Sequence, residues 1–205
     1  MTLKLIHFPM TRSLRVVWAA YELGLDVDIE TRVFDRAKLK EAEYRALNPI
    51  GKTPVFFDGA KRMIESVAII EYLSKKYAGG KLSRNAQDTD YADYLMFLEF
   101  GEAGMGGYVG MLIGQTMLLP PEQRIEAMKV WAVNETTNCL NFLEQSLAGK
   151  EYLLSEFSLA DISVGYMLFL IKISRNGGLM GPNVSAYFDR LTAREAWARA
   201  TALKP

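Results

Sequence analysis

Cysteine and histidine are all but missing from this chain, with Cys139 and His7 each alone among 205 residues. One cysteine permits no internal disulfide and gives no sign of an oxidising compartment. One cysteine and one histidine also speak against the usual zinc sites, a Cys-His nucleophile pair and a Ser-His-Asp triad. Net charge is missing too, because Lys plus Arg and Asp plus Glu both number 24. No basic field invites nucleic acid or an anionic membrane, so no nucleic-acid or membrane partner is expected. Small uncharged or amphiphilic ligands remain open. Long apolar runs are scarce. The uncharged stretch Ala103 to Pro121 is interrupted by five glycines, Gln115 and Thr116, and its apolar part is short for a span. It is read as a buried helix. The opening residues alternate like a strand and lack the apolar core of a signal peptide.

What is present is an ordinary globular balance, with half the residues apolar and 23% charged. Residues 3–8 and 27–33 alternate with period two, and between them Ser13 to Leu23 has helical spacing ending at Gly24. A second helical segment, Ala37 to Leu47, is expected to stop before Asn48-Pro49, since the residue before proline avoids helical geometry. Thr53 to Phe57 and Lys61 to Ile64 read as strands joined by an Asp58-Gly59 hairpin. Ser66 is expected to be the N-cap of a helix burying Val67, Ile70, Leu73 and Tyr77. The order βαβ-α-ββ-α describes a small α/β domain over residues 1–78.

The polar, glycine-bearing stretch from Ala78 to Asp88 is the best linker. After it, strand-like alternation disappears and helices are expected at about 88–119, 121–148, 158–174 and 183–203. An all-α domain over 89–205 follows. Its clearest signal is Phe157-Ser158-Leu-Ala-Asp161-Ile162, where Asp161 can reach back to the Ser158 amide and Phe157 can staple onto Ile162. The run Ile162 to Ile171 is apolar on all faces and should be the centre of that domain.

Three motifs, in order and spacing, carry a family resemblance: Asn48-Pro-Ile-Gly-Lys-Thr-Pro54-Val, then Glu65-Ser66-Val-Ala-Ile-Ile-Glu-Tyr-Leu, then Ser158-Leu-Ala-Asp161. Together they resemble the cytosolic glutathione transferases. Phe8-Pro-Met-Thr-Arg-Ser-Leu-Arg-Val-Val-Trp18 is similar to the first helix of bacterial members, and Leu191-Thr-Ala-Arg194 to the family's final helix. The resemblance implies a thioredoxin-like glutathione-binding domain, an all-helical domain supplying a hydrophobic substrate pocket, and a cytoplasmic homodimer active in detoxification. Glutathione would be the co-substrate, with no metal, and the second substrate a small hydrophobic electrophile. Glutathione-dependent ether cleavage or dehalogenation, or a non-catalytic glutathione-binding role, are the alternatives on the same fold.

The resemblance also assigns residues. A cis proline at Thr53-Pro54 would turn the Thr53 backbone toward the cysteinyl unit of glutathione, to pair as an added strand would. Glu65 would meet the γ-glutamyl amine, and Ser66, at a helix N-terminus, its carboxylate. Lys52 is placed toward the glycyl carboxylate. Thiolate formation would fall to Thr11, Arg12 and Ser13, where a helix N-terminus and a hydroxyl donor favour the charged sulfur. No tyrosine precedes Tyr21 and no cysteine lies near this turn, so tyrosine-type and cysteine-type members match poorly. In serine-type members the catalytic serine stands four residues before an arginine like Arg15, which here is Thr11, with Ser13 close enough to compete. Met105, Tyr108 and Met111 are assigned to the electrophile pocket. Gly106, Gly110 and Gly114 fall on one helix face and suit either close packing, a dimer contact or room for a bulky substrate.

Overall fold

The computed structural model describes residues 2–205. It holds a mixed four-stranded sheet with helices, followed by a bundle of helices. By internal contacts the chain divides into two units, one running up to Ser83 and resumed at Arg194–Pro205, the other Arg84–Ala193.

In the first unit the strands β1 (Leu3–His7), β2 (Asp28–Thr31), β3 (Val55–Asp58) and β4 (Lys61–Met63) lie in the order β2-β1-β3-β4. β1 runs parallel to β2 and antiparallel to β3, with Ile6 opposite Val55, and β3 pairs antiparallel with β4. The parallel pair needs a crossover, which α1 (Ser13–Leu23) supplies. Gly24 ends α1 in the left-handed conformation at φ 71°, its N–H reaching Ala20 and Tyr21 carbonyls. α1 is buried almost all round because it packs on β1, on α3 (Ser66–Tyr77) and on α9 (Glu195–Thr201).

The expected helix over 37–47 is two short pieces, a 3-10 turn at Lys38–Lys40 and α2 (Ala42–Leu47), separated by extended Glu41. The stretch expected to form one helix over 183–203 is likewise two: α8 (Pro182–Thr192) and α9, parted at Arg194 with ψ 138°. The consequence is topological. Residues 194–205 belong to the first unit, not to the helical one. The Arg194 guanidinium bonds both carboxylate oxygens of Glu22 at 2.6 and 2.8 Å, and Trp197 meets Trp18 edge-on at 4.8 Å.

The second unit contains α4 (Tyr91–Glu99), α5 (Gly106–Ile113), α6 (Glu126–Ser146), α7 (Leu159–Ile173) and α8. α7 is its core, buried on every face from Leu159 to Leu168. Its capping box holds as the spacing suggests: the Asp161 carboxylate accepts from the Ser158 amide at 2.8 Å, from the Leu153 amide at 3.1 Å and from the Tyr187 hydroxyl at 2.8 Å. The single helix expected over 88–119 is interrupted by two π-helical turns, Phe100–Gly104 and Gly114–Leu118. No helix among the described residues is long and apolar enough to cross a membrane.

Candidate functional site

β1 delivers the chain into the turn Phe8-Pro9-Met10-Thr11, where Met10 has a left-handed φ of 63° and the Thr11 amide closes onto the Phe8 carbonyl at 3.2 Å. The turn sets two hydroxyls 2.9 Å apart with very different surroundings. Ser13 is fully buried. Its Oγ accepts the Phe8 amide at 3.0 Å and lies 2.8 Å from His7 Nδ1 and 3.1 Å from the Phe8 carbonyl. Thr11 is half-buried, and its hydroxyl donates to the Phe8 carbonyl at 2.8 Å. Arg12, also half-buried, stands at the N-cap position of α1. Burial alone pushes the His7 imidazole down to about 4, so it is uncharged at neutral pH.

A second loop leads to the Thr53-Pro54 peptide, which is cis. Its shape is set by Asn48, whose Nδ2 donates to the Lys52 carbonyl at 2.7 Å while its Oδ1 accepts the Ile50 amide at 3.2 Å. The Tyr44 hydroxyl gives the same carbonyl a second bond at 2.8 Å, and burial pushes that phenol up to about 12, keeping it a donor. Gly51 sits at φ 59°, and a Cβ there would strike the Leu39 carbonyl oxygen. Thr53 is left half-exposed and the Lys52 side chain exposed.

The third piece departs from expectation. Ser66 is not the N-cap of α3 but its first residue; Glu65 occupies the cap position with φ 75° and makes no side-chain cap bond. The Ser66 hydroxyl is taken up by Arg15, whose side chain is wholly buried and donates from Nη1 to Ser66 Oγ at 3.2 Å. That bond joins the start of α1 to the start of α3. In the sequence Arg15 marks only a spacing, yet a guanidinium inside the apolar run Leu14 to Ala20 is itself the signal of a buried partner. Asn48 and Tyr44 were missed as well.

The pocket residues divide. Met105 is completely enclosed, so it belongs to the core of the second unit and not to a wall that a ligand touches. Tyr108 and Met111, one helical turn apart, stay half-exposed, with Tyr108 edge-on to Trp131 at 5.4 Å. A Cβ built at Gly110 or Gly114 would meet nothing within 4 Å outside its own helix among the described residues, so close packing inside the chain does not occur there. It occurs at Gly101, where a Cβ would lie 2.5 Å from the Ser163 carbonyl carbon. Concavities of about 370 Å³ beside Gln115 and Lys129, and about 250 Å³ beside Ile50 and Arg62, contain none of the candidate side chains. No group of three or more His, Cys, Asp or Glu able to hold a metal occurs among the described residues.

Residues 1–75, which carry all three loops, match the family described as Glutathione S-transferase, N-terminal domain. Glutathione S-transferase 2 of Schizosaccharomyces pombe is 30% identical over 172 residues, covering 82% of this chain and 72% of the relative. The chain belongs to the glutathione S-transferase family. Glutathione S-transferase 3 of Zea mays extends the similarity over 99% of this chain and 95% of its own length at 27% identity. Among solved structures, a glutathione transferase from Burkholderia graminis, with two glutathione molecules bound per subunit, aligns at 28% identity and TM-score 0.86 over 98% of this chain and 87% of its own.

Proposed function

We propose that this transferase activates glutathione through the Thr11 hydroxyl and adds the thiolate to a small hydrophobic electrophile. The observation that carries the reading is the contrast at one turn: Ser13 is fully buried and its hydroxyl engaged, whereas Thr11 is half-exposed at the start of α1. Thr11 can turn its proton from the Phe8 carbonyl to a sulfur without orphaning that carbonyl, because the Thr11 amide still bonds it. A thiolate is favoured by such a donor and by the positive end of α1, near Arg12.

The rest of glutathione falls to the other two loops. The Thr53 backbone takes the cysteinyl unit, Lys52 the glycyl carboxylate, and Glu65 the γ-glutamyl amine. Ser66 accepts from Arg15 and so keeps its own proton for the γ-glutamyl carboxylate, with the guanidinium adding positive charge behind it. Tyr108 and Met111 are the side chains proposed to meet the electrophile. We place the enzyme in the cytoplasm as a homodimer with a detoxifying role. Exposed apolar side chains on α4, Leu95 at 42% and Met96 at 44%, support a further covering surface.

Thr11→Val tests the mechanism, since it keeps the branched shape and removes the donor. The pKa of bound glutathione should rise, read from thiolate absorbance across pH. The rate at neutral pH with an aryl halide should fall about tenfold to a hundredfold, the value of one charge-assisted bond at roughly 1.5–3 kcal/mol. Much of the loss should return at high pH, and Thr11→Ser should restore most of it. A thiol titration and rate left unmoved by Thr11→Val would remove Thr11 from the mechanism.

A further inference from the structure

His7 and Ser13 are left over by that mechanism, and their placement gives them a use. Ser13 Oγ has one proton and two lone pairs, and the Phe8 amide occupies one lone pair at 3.0 Å. Of its remaining neighbours, His7 Nδ1 stands at 2.8 Å, Thr11 Oγ1 at 2.9 Å and the Phe8 carbonyl, the longest of the three, at 3.1 Å. A Ser13 proton given to that carbonyl would leave the closer Thr11 contact without a proton once Thr11 turns to sulfur, so only two arrangements satisfy both side-chain contacts. In one, neutral His7 carries its proton on Nε2, Nδ1 takes the Ser13 proton, and Ser13 has none to give Thr11. In the other, His7 carries its proton on Nδ1 and donates to Ser13, which in turn donates to Thr11.

Resting on the reading of Thr11 as thiolate donor, we propose that His7 is a positioning residue. Its Nδ1–H heads a one-directional chain, His7 to Ser13 to Thr11 to sulfur, that strengthens the last bond. The sulfur's charge selects the direction. Once the Thr11 proton points at a thiolate, its oxygen is the better acceptor, and the next side-chain donor in reach is Ser13. The Ser13 amide also reaches that oxygen, but at a long 3.4 Å. Chains of aligned hydrogen bonds polarise one another, by about 10–30% per bond. No proton leaves the chain and His7 does not act as base. Its imidazole is buried, and burial holds it uncharged.

A single histidine makes the test direct. The ¹⁵N shifts of the one imidazole in the wild-type complex with glutathione should show a protonated Nδ1 and a bare Nε2 at neutral pH. The opposite tautomer overturns the proposal outright, with no variant needed. His7→Phe keeps a ring but removes the donor. It should raise the pKa of bound glutathione by about half a unit and slow turnover about threefold below that pKa. KM for glutathione should change little. His7→Asn, which can place an amide N–H where Nδ1 was, should recover most of the shift; a purely structural His7 would not give a pKa shift that returns with the donor. In the Thr11→Val background, His7→Phe should add nothing. If Thr11→Val alone leaves the thiol pKa unmoved, the underlying reading of Thr11 fails. If Thr11→Val moves it and His7→Phe does not, the chain fails and Thr11 stands.

Discussion

At the scale of single residues, the site is built from side chains held in positions they would not choose alone. Glu65 is the clearest, with φ 75° in a residue that has a Cβ. Such a conformation costs about 1–3 kcal/mol and persists only where surrounding structure enforces it. Beside it, the buried Arg15 side chain bonds Ser66 at the first turn of α3. Glu65→Gly therefore separates fold from function. Glycine accepts the backbone freely, and the relief is offset in part by about 0.4–1 kcal/mol of unfolded-chain freedom. The thermal midpoint should stay level or rise. Glutathione binding by calorimetry should weaken about tenfold to a hundredfold, the value of a charge-assisted bond. Unchanged binding would show that the carboxylate does not hold the ligand. A drop in midpoint would show that the carboxylate supports the loop instead.

At the scale of elements, glycine in a helix normally costs up to about 1 kcal/mol against alanine, so each helical glycine invites the question of what it makes room for. Gly101 makes room for the α7 backbone. Gly101→Ala forces a Cβ to within 2.5 Å of the Ser163 carbonyl carbon, an overpacking worth about 1–3 kcal/mol. A fall of about 2–12 °C in thermal midpoint is expected for a chain of this size. Gly110, on α5 with open space around it, should do the reverse, Gly110→Ala raising stability by up to about 1 kcal/mol. If Gly110→Ala lowers the midpoint instead, that face is covered by something beyond one chain, and the proposed homodimer gains its first contact. The sequence pointed to the face of Gly106, Gly110 and Gly114, while the close approach lies at Gly101. The first π turn, Phe100–Gly104, inserts a residue into the register between the face that a constant 3.6-residue period assigns to Gly101 and that of Gly106 and Gly110. Where no such insertion occurs, as from Ser158 through α7, period and cap located the element and its buried face together.

At the scale of the whole molecule, local signals reported well on the loops and poorly on long-range partners. The Thr53-Pro54 step and the start of a helix near Ser66 are legible from adjacent residues, although the cap position falls to Glu65 and not to Ser66. Arg15, 51 positions from Ser66, and Arg194, 172 positions from Glu22, are not, since no period or motif encodes a bond that spans most of the chain. The apolar pattern after Gly181 looked like one more helix of the second unit, yet extended Arg194 breaks it and returns α9 to α1. That return has a measurable price. Trp197 is 7% exposed and packs on Trp18, whose indole N–H donates at 3.1 Å to the same Glu22 that Arg194 grips. Trp197→Ala removes the ring, exposes Trp18 and should cost the first unit about 3–5 kcal/mol. With two units the unfolding need not be two-state, so one midpoint would hide the effect and hydrogen exchange is the better measurement. Amides of α1 should exchange faster by about two to four orders of magnitude, as 3–5 kcal/mol implies, and glutathione binding should fade at lower temperature than in the wild type. Amides of α7, anchored by Asp161 and Tyr187, should keep their protection. Equal loss of protection in α1 and α7 would mean that the units open as one, and that α9 stabilises the whole chain and not the glutathione-binding unit alone.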